Sequence, residues 1–243
     1  MLALFKKELR AYFASPIAYL VMGLLLVLTG LFLWVFKGPF NILDSGFAEL
    51  SSFFLLVPWI FLLIVPALGM RSFAEERKMG TLELLFIKPL SHLQIVLGKF
   101  LAIVVLVLIA LLPTLLYSYT IGQLGMETNN FDSGVVMGSY FGLVFLLATY
   151  AAISLFTSSL TQNQVVAFIL GMLLSFCCFY GFEALSTLIS DGSSALNLAQ
   201  WGMKARFENI ARGILDIRDL IYFVALCAFF LFLTVGQLKK LNR

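Results

Sequence analysis

Hydrophobic residues run along this chain in six long blocks, at about residues 17–36, 53–70, 100–119, 135–157, 165–182 and 220–238. A helix needs about 20 apolar residues to cross a bilayer, and each block is near that length. None of the six contains Asp, Glu, Lys, Arg or His. A charge at mid-membrane costs about 2.5–3.5 kcal/mol on insertion scales. The blocks are also too long and too uniform for the alternating strands, about ten residues each, of a membrane β-barrel. The pattern predicts an all-α membrane protein with six transmembrane helices, forming one domain over residues 1–243.

Polarity between the blocks predicts the smaller elements. Leu2, Phe5, Leu9, Tyr12 and Phe13 recur at helical spacing, with Lys6, Lys7 and Arg10 between them. That is an amphipathic interfacial helix within residues 1–16, with a basic face. Ser15-Pro16 breaks it before the first span. A simple membrane anchor and a docking role both fit such a helix. The loops at 37–52 and 120–134 are short, the second holding Gly122, Gly125, Asn129 and Asn130 as breakers. Pro58, Pro66 and Pro113 lie in or near spans, where neighbouring helices tolerate kinks. Gly138 and Gly142 form a small-xxx-small pair suited to close helix packing. Thr161 to Gln164 reads as a polar hairpin turn. The longest segment outside the spans is 183–219. Its second half, Trp201 to Asp219, predicts a short helix lying at the interface. Ala205, Phe207, Ile210, Ala211, Ile214 and Leu215 would form one apolar face, a plain solvated loop being the alternative.

Composition narrows the class. The chain is 61% hydrophobic and 12% charged, about half the charged fraction of a soluble domain. Such a composition cannot cover a soluble surface, which excludes soluble, disordered and nucleic-acid-binding proteins. Orientation follows from Lys and Arg. With six spans both termini share one side, which carries Lys6, Lys7, Arg10, Arg71, Arg77, Lys78, Lys88, Lys99, Lys239, Lys240 and Arg243, eleven bases against four acids. The other side has five bases, Lys37, Lys204, Arg206, Arg212 and Arg218, against nine acids. The termini are therefore expected in the cytoplasm. The first block is too long for a cleavable signal. Cys177, Cys178 and Cys227 fall in predicted spans and read as small apolar residues.

Catalytic chemistry has no visible carrier. There is no Gly-x-x-x-x-Gly-Lys-Ser/Thr loop for ATP and a single histidine, His92. No catalytic, cofactor-binding or metal site is expected, and no charged group in a span offers ion coupling. A channel or secondary transporter would need such groups, and an intramembrane enzyme lacks its residues. Energy for uphill movement would have to come from another chain.

The segment from Arg71 to Ser91 stands apart. Glu75, Glu76, Arg77 and Lys78 form a dense charged cluster, and Gly80 interrupts it. Thr81 then stands as the N-cap of a short apolar helix, Leu82 to Phe86, which Lys88-Pro89 would end. A solvated charged face is one reading. An apolar helix directly after a charged turn, with spans on both sides, has the form of an element that docks into a soluble partner.

These residues resemble the ABC-2 type permease family, in which Glu-x-x-x-Gly-Thr-hydrophobic-Glu leads into a helix of the first cytoplasmic loop. The match is Glu76, Gly80, Thr81, Leu82 and Glu83, then Pro89 and Ser91 before Lys99. Phe5-Lys-Lys-Glu-Leu9 and Ser15-Pro-Ile-Ala-Tyr19 look like the same family. A narrower resemblance, on Phe207 to Phe223, is to the gliding-motility-associated permeases of Bacteroidetes. The resemblance implies a permease subunit of an ATP-binding cassette transporter in a bacterial inner membrane, biased toward export. It implies a separate cytoplasmic ATPase that binds the ATP and a second permease half, a copy or a related subunit. The coupling residues implied, in the loop 71–99, are Glu75, Glu76, Arg77, Lys78, Gly80, Thr81, Leu82, Glu83, Leu84, Leu85 and Phe86. Phe5, Lys6, Lys7, Leu9 and Arg10 would serve the interfacial helix. A membrane anchor for an ATPase complex, transporting nothing, is the alternative.

Overall fold

In the computed structural model, residues 1–46, 49–87, 89–124, 132–189 and 191–242 are described. Lys88, Gly125, Asn129, Asn130 and Arg243, given roles above, lie outside them. The chain opens with helix α1 (Leu2–Ala14). Pro16, its φ already helical, starts α2 (Pro16–Gly30), which ends in a π-helical turn at Leu31–Val35. A short α3 (Ile42–Ser45) leads to α4 (Ser51–Gly69) and α5 (Arg71–Lys78), consecutive along one path with a break at Met70. After α6 (Leu82–Phe86), α7 (His92–Leu111) passes through a tight turn at Pro113 into α8 (Leu115–Leu124). Next come α9 (Ser133–Leu160) and α10 (Gln164–Phe176), the latter extended by a second π-helical turn, Cys177–Gly181, into α11 (Phe182–Ser186). Two short helices, α12 (Gly192–Ala199) and α13 (Met203–Ala211), precede α14 (Ile217–Leu241).

Six helical paths are long and apolar enough to cross a membrane: Pro16–Val35, Ser51–Lys78, His92–Leu124, Ser133–Leu160, Gln164–Ser186 and Ile217–Leu241. The protein is an all-α, multi-pass membrane protein. We call the end that holds both termini the near end and the other the far end. The paths at α4, α7 and α9 are mostly buried, and those at α2, α10 and α14 are less than a third buried. Hydrophobicity cannot order helices in lipid, which is as apolar as Leu, so small residues and hydroxyls set the contacts. A Cβ on Gly69 would run into the Ser154 side chain, which brings α4 and α9 nearly into backbone contact. Gly171 of α10 packs similarly on Thr157 and Pro66. One line of α4 stays open: Ser51, Leu55, Trp59 and Leu63, one residue per turn.

Several expectations change here. Gly138 and Gly142 do pack closely, but against α13 rather than another span. A Cβ on Gly142 would fall 2.7 Å from the Ile210 side chain, and Ser139 Oγ donates to the Ala211 carbonyl at 3.1 Å. The predicted helix from Trp201 to Asp219 is shorter, because Gly213 adopts φ +83° and turns the chain. α13 buries Met203, Phe207 and Ile210, whereas Ala205 is half-buried and Ile214 and Leu215 lie exposed beyond the turn. In α1 the buried residue of the first turn is Leu4, seated on Gly98, while Leu2 is exposed.

Candidate coupling site at the near end

Helices α1, α5 and α6 and the first turns of α7 meet at the near end around a cleft of about 510 Å³. α1 packs chiefly on α7, turning Leu4, Glu8 and Tyr12 inward on one i, i+4, i+8 line. Lys6, Lys7 and Arg10 face out, and Phe5 and Leu9 are half-buried beside the core. The Tyr12 hydroxyl donates to the Leu68 carbonyl at 3.1 Å. Burial pushes that phenol up to about 12, which keeps it a donor.

Glu8 is the anomaly on this inward line, and Lys99 explains it. The Lys99 ammonium sits 3.2 Å from Glu8 Oε1 and 2.8 Å from Glu76 Oε1, with only 2% of its side chain exposed. It also lies 5.3 Å from the Phe73 ring centre. A buried ammonium needs such compensation. One lysine thereby ties the N-terminal helix to the extensions of the second and third spans.

The Glu-x-x-x-Gly-Thr spacing acquires a physical reason. Gly80 has φ +68°, the left-handed conformation that glycine adopts without a Cβ penalty. Its N–H donates to Arg77 O at 3.3 Å, and the Thr81 N–H to Glu76 O at 2.9 Å. This pair of bonds is the Schellman closure of a helix. Glu76 is thus used twice, its carbonyl closing α5 and its carboxylate holding Lys99. Thr81 does not cap α6: its hydroxyl donates back to Glu76 O at 3.3 Å. The capped helix is α7, where Ser91 Oγ accepts from Gln94 N at 3.3 Å and Gln94 Oε1 accepts from Ser91 N at 3.1 Å.

The break at Met70 is filled from α9. Ser158 Oγ accepts from Phe73 N at 3.0 Å and Ala74 N at 3.1 Å, and donates to Met70 O at 2.9 Å. A side chain inserted into the ladder in this way lets a helix bend without orphaning its amides. Arg77 reaches the same helix end, donating to Ser159 O at 2.7 Å.

The predicted coupling residues therefore divide. Glu75 pairs with Arg71, Nε to Oε2 at 2.8 Å. Glu76 and Arg77 are committed within the chain, so their charge is spent on holding α5 and not presented to a partner. Leu82 and Leu85 turn into the protein core and Phe86 half-buries beside His92, their rings 5.4 Å apart. Outward stand Lys78, Gly80, Glu83 and Leu84, joined by Met79 and Ile87. Leu84 is 60% exposed, Met79 61% and Ile87 80%. Sequence reasoning assigned no role to Glu8, Ser154 or Ser158, placed Tyr12 only on the apolar face of the interfacial helix, and read Lys99 as an orientation charge at the end of the family motif. The Leu4–Glu8–Tyr12 spacing was the available sign.

No curated protein matches the chain. The family model described as ABC-2 family transporter protein matches residues 2–235. That span takes in α1, the candidate coupling segment and most of α14, and on it the chain belongs to the ABC-2 transporter family, whose members are membrane subunits of ATP-binding cassette transporters.

Proposed function

We propose that this chain is the permease subunit of an ATP-binding cassette transporter, coupled through α5 and α6 to a separate ATPase that binds the ATP. The near end is the cytoplasmic face of a bacterial inner membrane. The observation that carries the reading is the exposed apolar group Met79, Leu84 and Ile87, raised beyond the spans with Glu83 and Lys78 around it. A cluster of large apolar side chains ringed by charge marks a protein interface.

Nucleotide-driven closure of the ATPase would push on α6. α5 would transmit the push, turning about Met70 against the Ser158 hydroxyl. Glu76 and Lys99 would carry the motion to α1, and α10 would follow α4 and α5, on which it packs, so that the first, second and fifth spans rock as bodies. Six spans provide half a conduit, completed by a second copy or a related subunit, and the direction is export. The resemblance of Phe207 to Phe223 supports a place in gliding motility.

Leu84→Glu with Ile87→Glu tests the contact at exposed positions. The double variant is expected to insert and elute as the wild type does, yet fail to co-purify with the cytoplasmic ATPase proposed as its partner. Glu76→Lys and Gly80→Pro should lose coupling too, through distortion of α5. Retained ATPase in the Leu84/Ile87 variant would refute the docking site. Retained ATPase with no substrate-dependent hydrolysis after reconstitution would favour a scaffold.

A further inference from the structure

At the far end, the first turns of α4, the π-helical turn after α10 and one side of α13 enclose a cavity of about 400 Å³, a size usual for small-ligand sites. Its walls are apolar and mostly aromatic, with Phe54, Trp59, Phe179 and Phe207 foremost. They are fixed: Phe54, Phe179 and Phe207 are buried, and Trp59 stands edge-on to Phe179 at 5.4 Å.

Charge sits only at the mouth. Lys204, Glu208 and Arg212 follow one another at i, i+4 spacing along α13 and its end. Lys204 is neutralised by Glu183 at 2.7 Å. Arg212 is not. Its side chain is 72% exposed, Glu208 stays 3.7 Å away, and among the described residues its guanidinium makes no hydrogen bond. An exposed fork of N–H donors, held by one long ion pair and by no hydrogen bond among the described residues, stands above an aromatic trough and suits a phosphate joined to a hydrocarbon chain. The trough opens sideways at Leu55 and Trp59, on the uncovered line of α4, so a chain can enter from the bilayer.

We propose that this cavity is a binding site for an anionic phospholipid of the far-end leaflet. One acyl chain lies against Phe54, Trp59 and Phe207, and the phosphate rests on Arg212. The occupant would fill the gap between α4 and α13 and so set how firmly the far-end helices rest on the second span.

Trp59 can report on it directly. Trp34→Phe with Trp201→Phe leaves Trp59 as the sole tryptophan, since the chain has three. The full chain would be placed in phosphatidylcholine nanodiscs containing dibrominated phosphatidylglycerol or dibrominated phosphatidylcholine, because bromine quenches tryptophan on contact. Phosphatidylglycerol is expected to half-quench Trp59 at a several-fold lower mole fraction than phosphatidylcholine. Arg212→Gln should abolish that preference, with elution and Trp59 emission unchanged. Arg218→Gln, an exposed cation outside the cavity, should keep it. Equal quenching by the two lipids, no quenching because protein covers Trp59, or a preference indifferent to Arg212→Gln would each overturn the site. Loss of the preference in Arg218→Gln as well would reduce it to general surface charge, and overturn it too.

Discussion

Lys99 concentrates the energetics of the near end in one side chain. It is 2% exposed between two carboxylates that are themselves 14% and 13% exposed. Removing one partner of a buried ionic group typically costs about 3–5 kcal/mol, because the charge left behind stays desolvated. Lys99→Met should therefore lower thermal stability of the detergent-solubilised protein strongly. Adding Glu8→Gln and Glu76→Gln should recover much of the loss, since the stranded anions are then gone. A Lys99→Met protein that melts like the wild type would show that the three groups contribute nothing. Arg71 and Glu75 pair at a similar distance but at the surface, where such contacts give under about 1 kcal/mol. Gly80 is a different case. Nothing lies within 4 Å of a Cβ built there, so Gly80→Ala meets no clash and carries only the left-handed backbone cost, about 1–2 kcal/mol. Gly80→Asn should be milder, and comparing the two melts separates conformation from contact.

Among elements, the α4–α5 path is the one whose break is filled by a side chain of another helix. Its amides at Phe73 and Ala74 depend on a hydroxyl from another helix. Ser158→Ala would leave both without an acceptor, at about 1–3 kcal/mol per buried group. Faster hydrogen exchange confined to residues 71–78 is the expected reading, and unchanged exchange would place the hinge elsewhere. The sequence allowed the spans to be found because long charge-free blocks have one physical meaning. It also marked Gly80 and the outward Glu83 and Leu84. The inward half of the site was illegible for a specific reason. A lysine near a span end looks identical whether it faces water or two glutamates in another helix, since the pairing spans residues 8, 76 and 99. One local sign did exist: Ser91 and Gln94 stand at capping-box spacing, which starts α7 two turns below the apolar block and draws Lys99 inside. Thr81 misled because threonine before an apolar run is a common cap, whereas here the Schellman closure claims it.

Across the whole molecule, the two ends differ in kind. The near end carries an exposed apolar knob on an ionically tied base. The far end carries α13, held by Arg206 to Asp219 at 2.7 Å and by Ser139, and α12, which packs on α11. This asymmetry makes orientation testable. In a variant with Cys177, Cys178 and Cys227 replaced by Ala, a cysteine at Trp201 should react with an impermeant maleimide on intact cells. A cysteine at Ile87 should react only once the membrane is opened. The reverse result would put the knob outside the cell, out of reach of any cytoplasmic ATPase.

The Glu8–Lys99–Glu76 contact has a further consequence in time. A ribosome delivers residue 8 first, residue 76 much later and residue 99 last of the three. Until residue 99 is made, Glu8 has only Lys7 of its own helix, 3.7 Å away, Glu76 lacks Lys99, and α1 lacks the α7 surface on which it packs. A nascent chain stopped after its second span therefore lacks the cation its two carboxylates share and the helix on which its first helix seats. Synthesis of the first turns of the third span is therefore expected to let the N-terminus lock, and a chain that has passed this lysine should differ, to the proteases that patrol the membrane, from one that has not. A pulse-chase comparison of chains ending before and after residue 99 would read that point as a change in half-life.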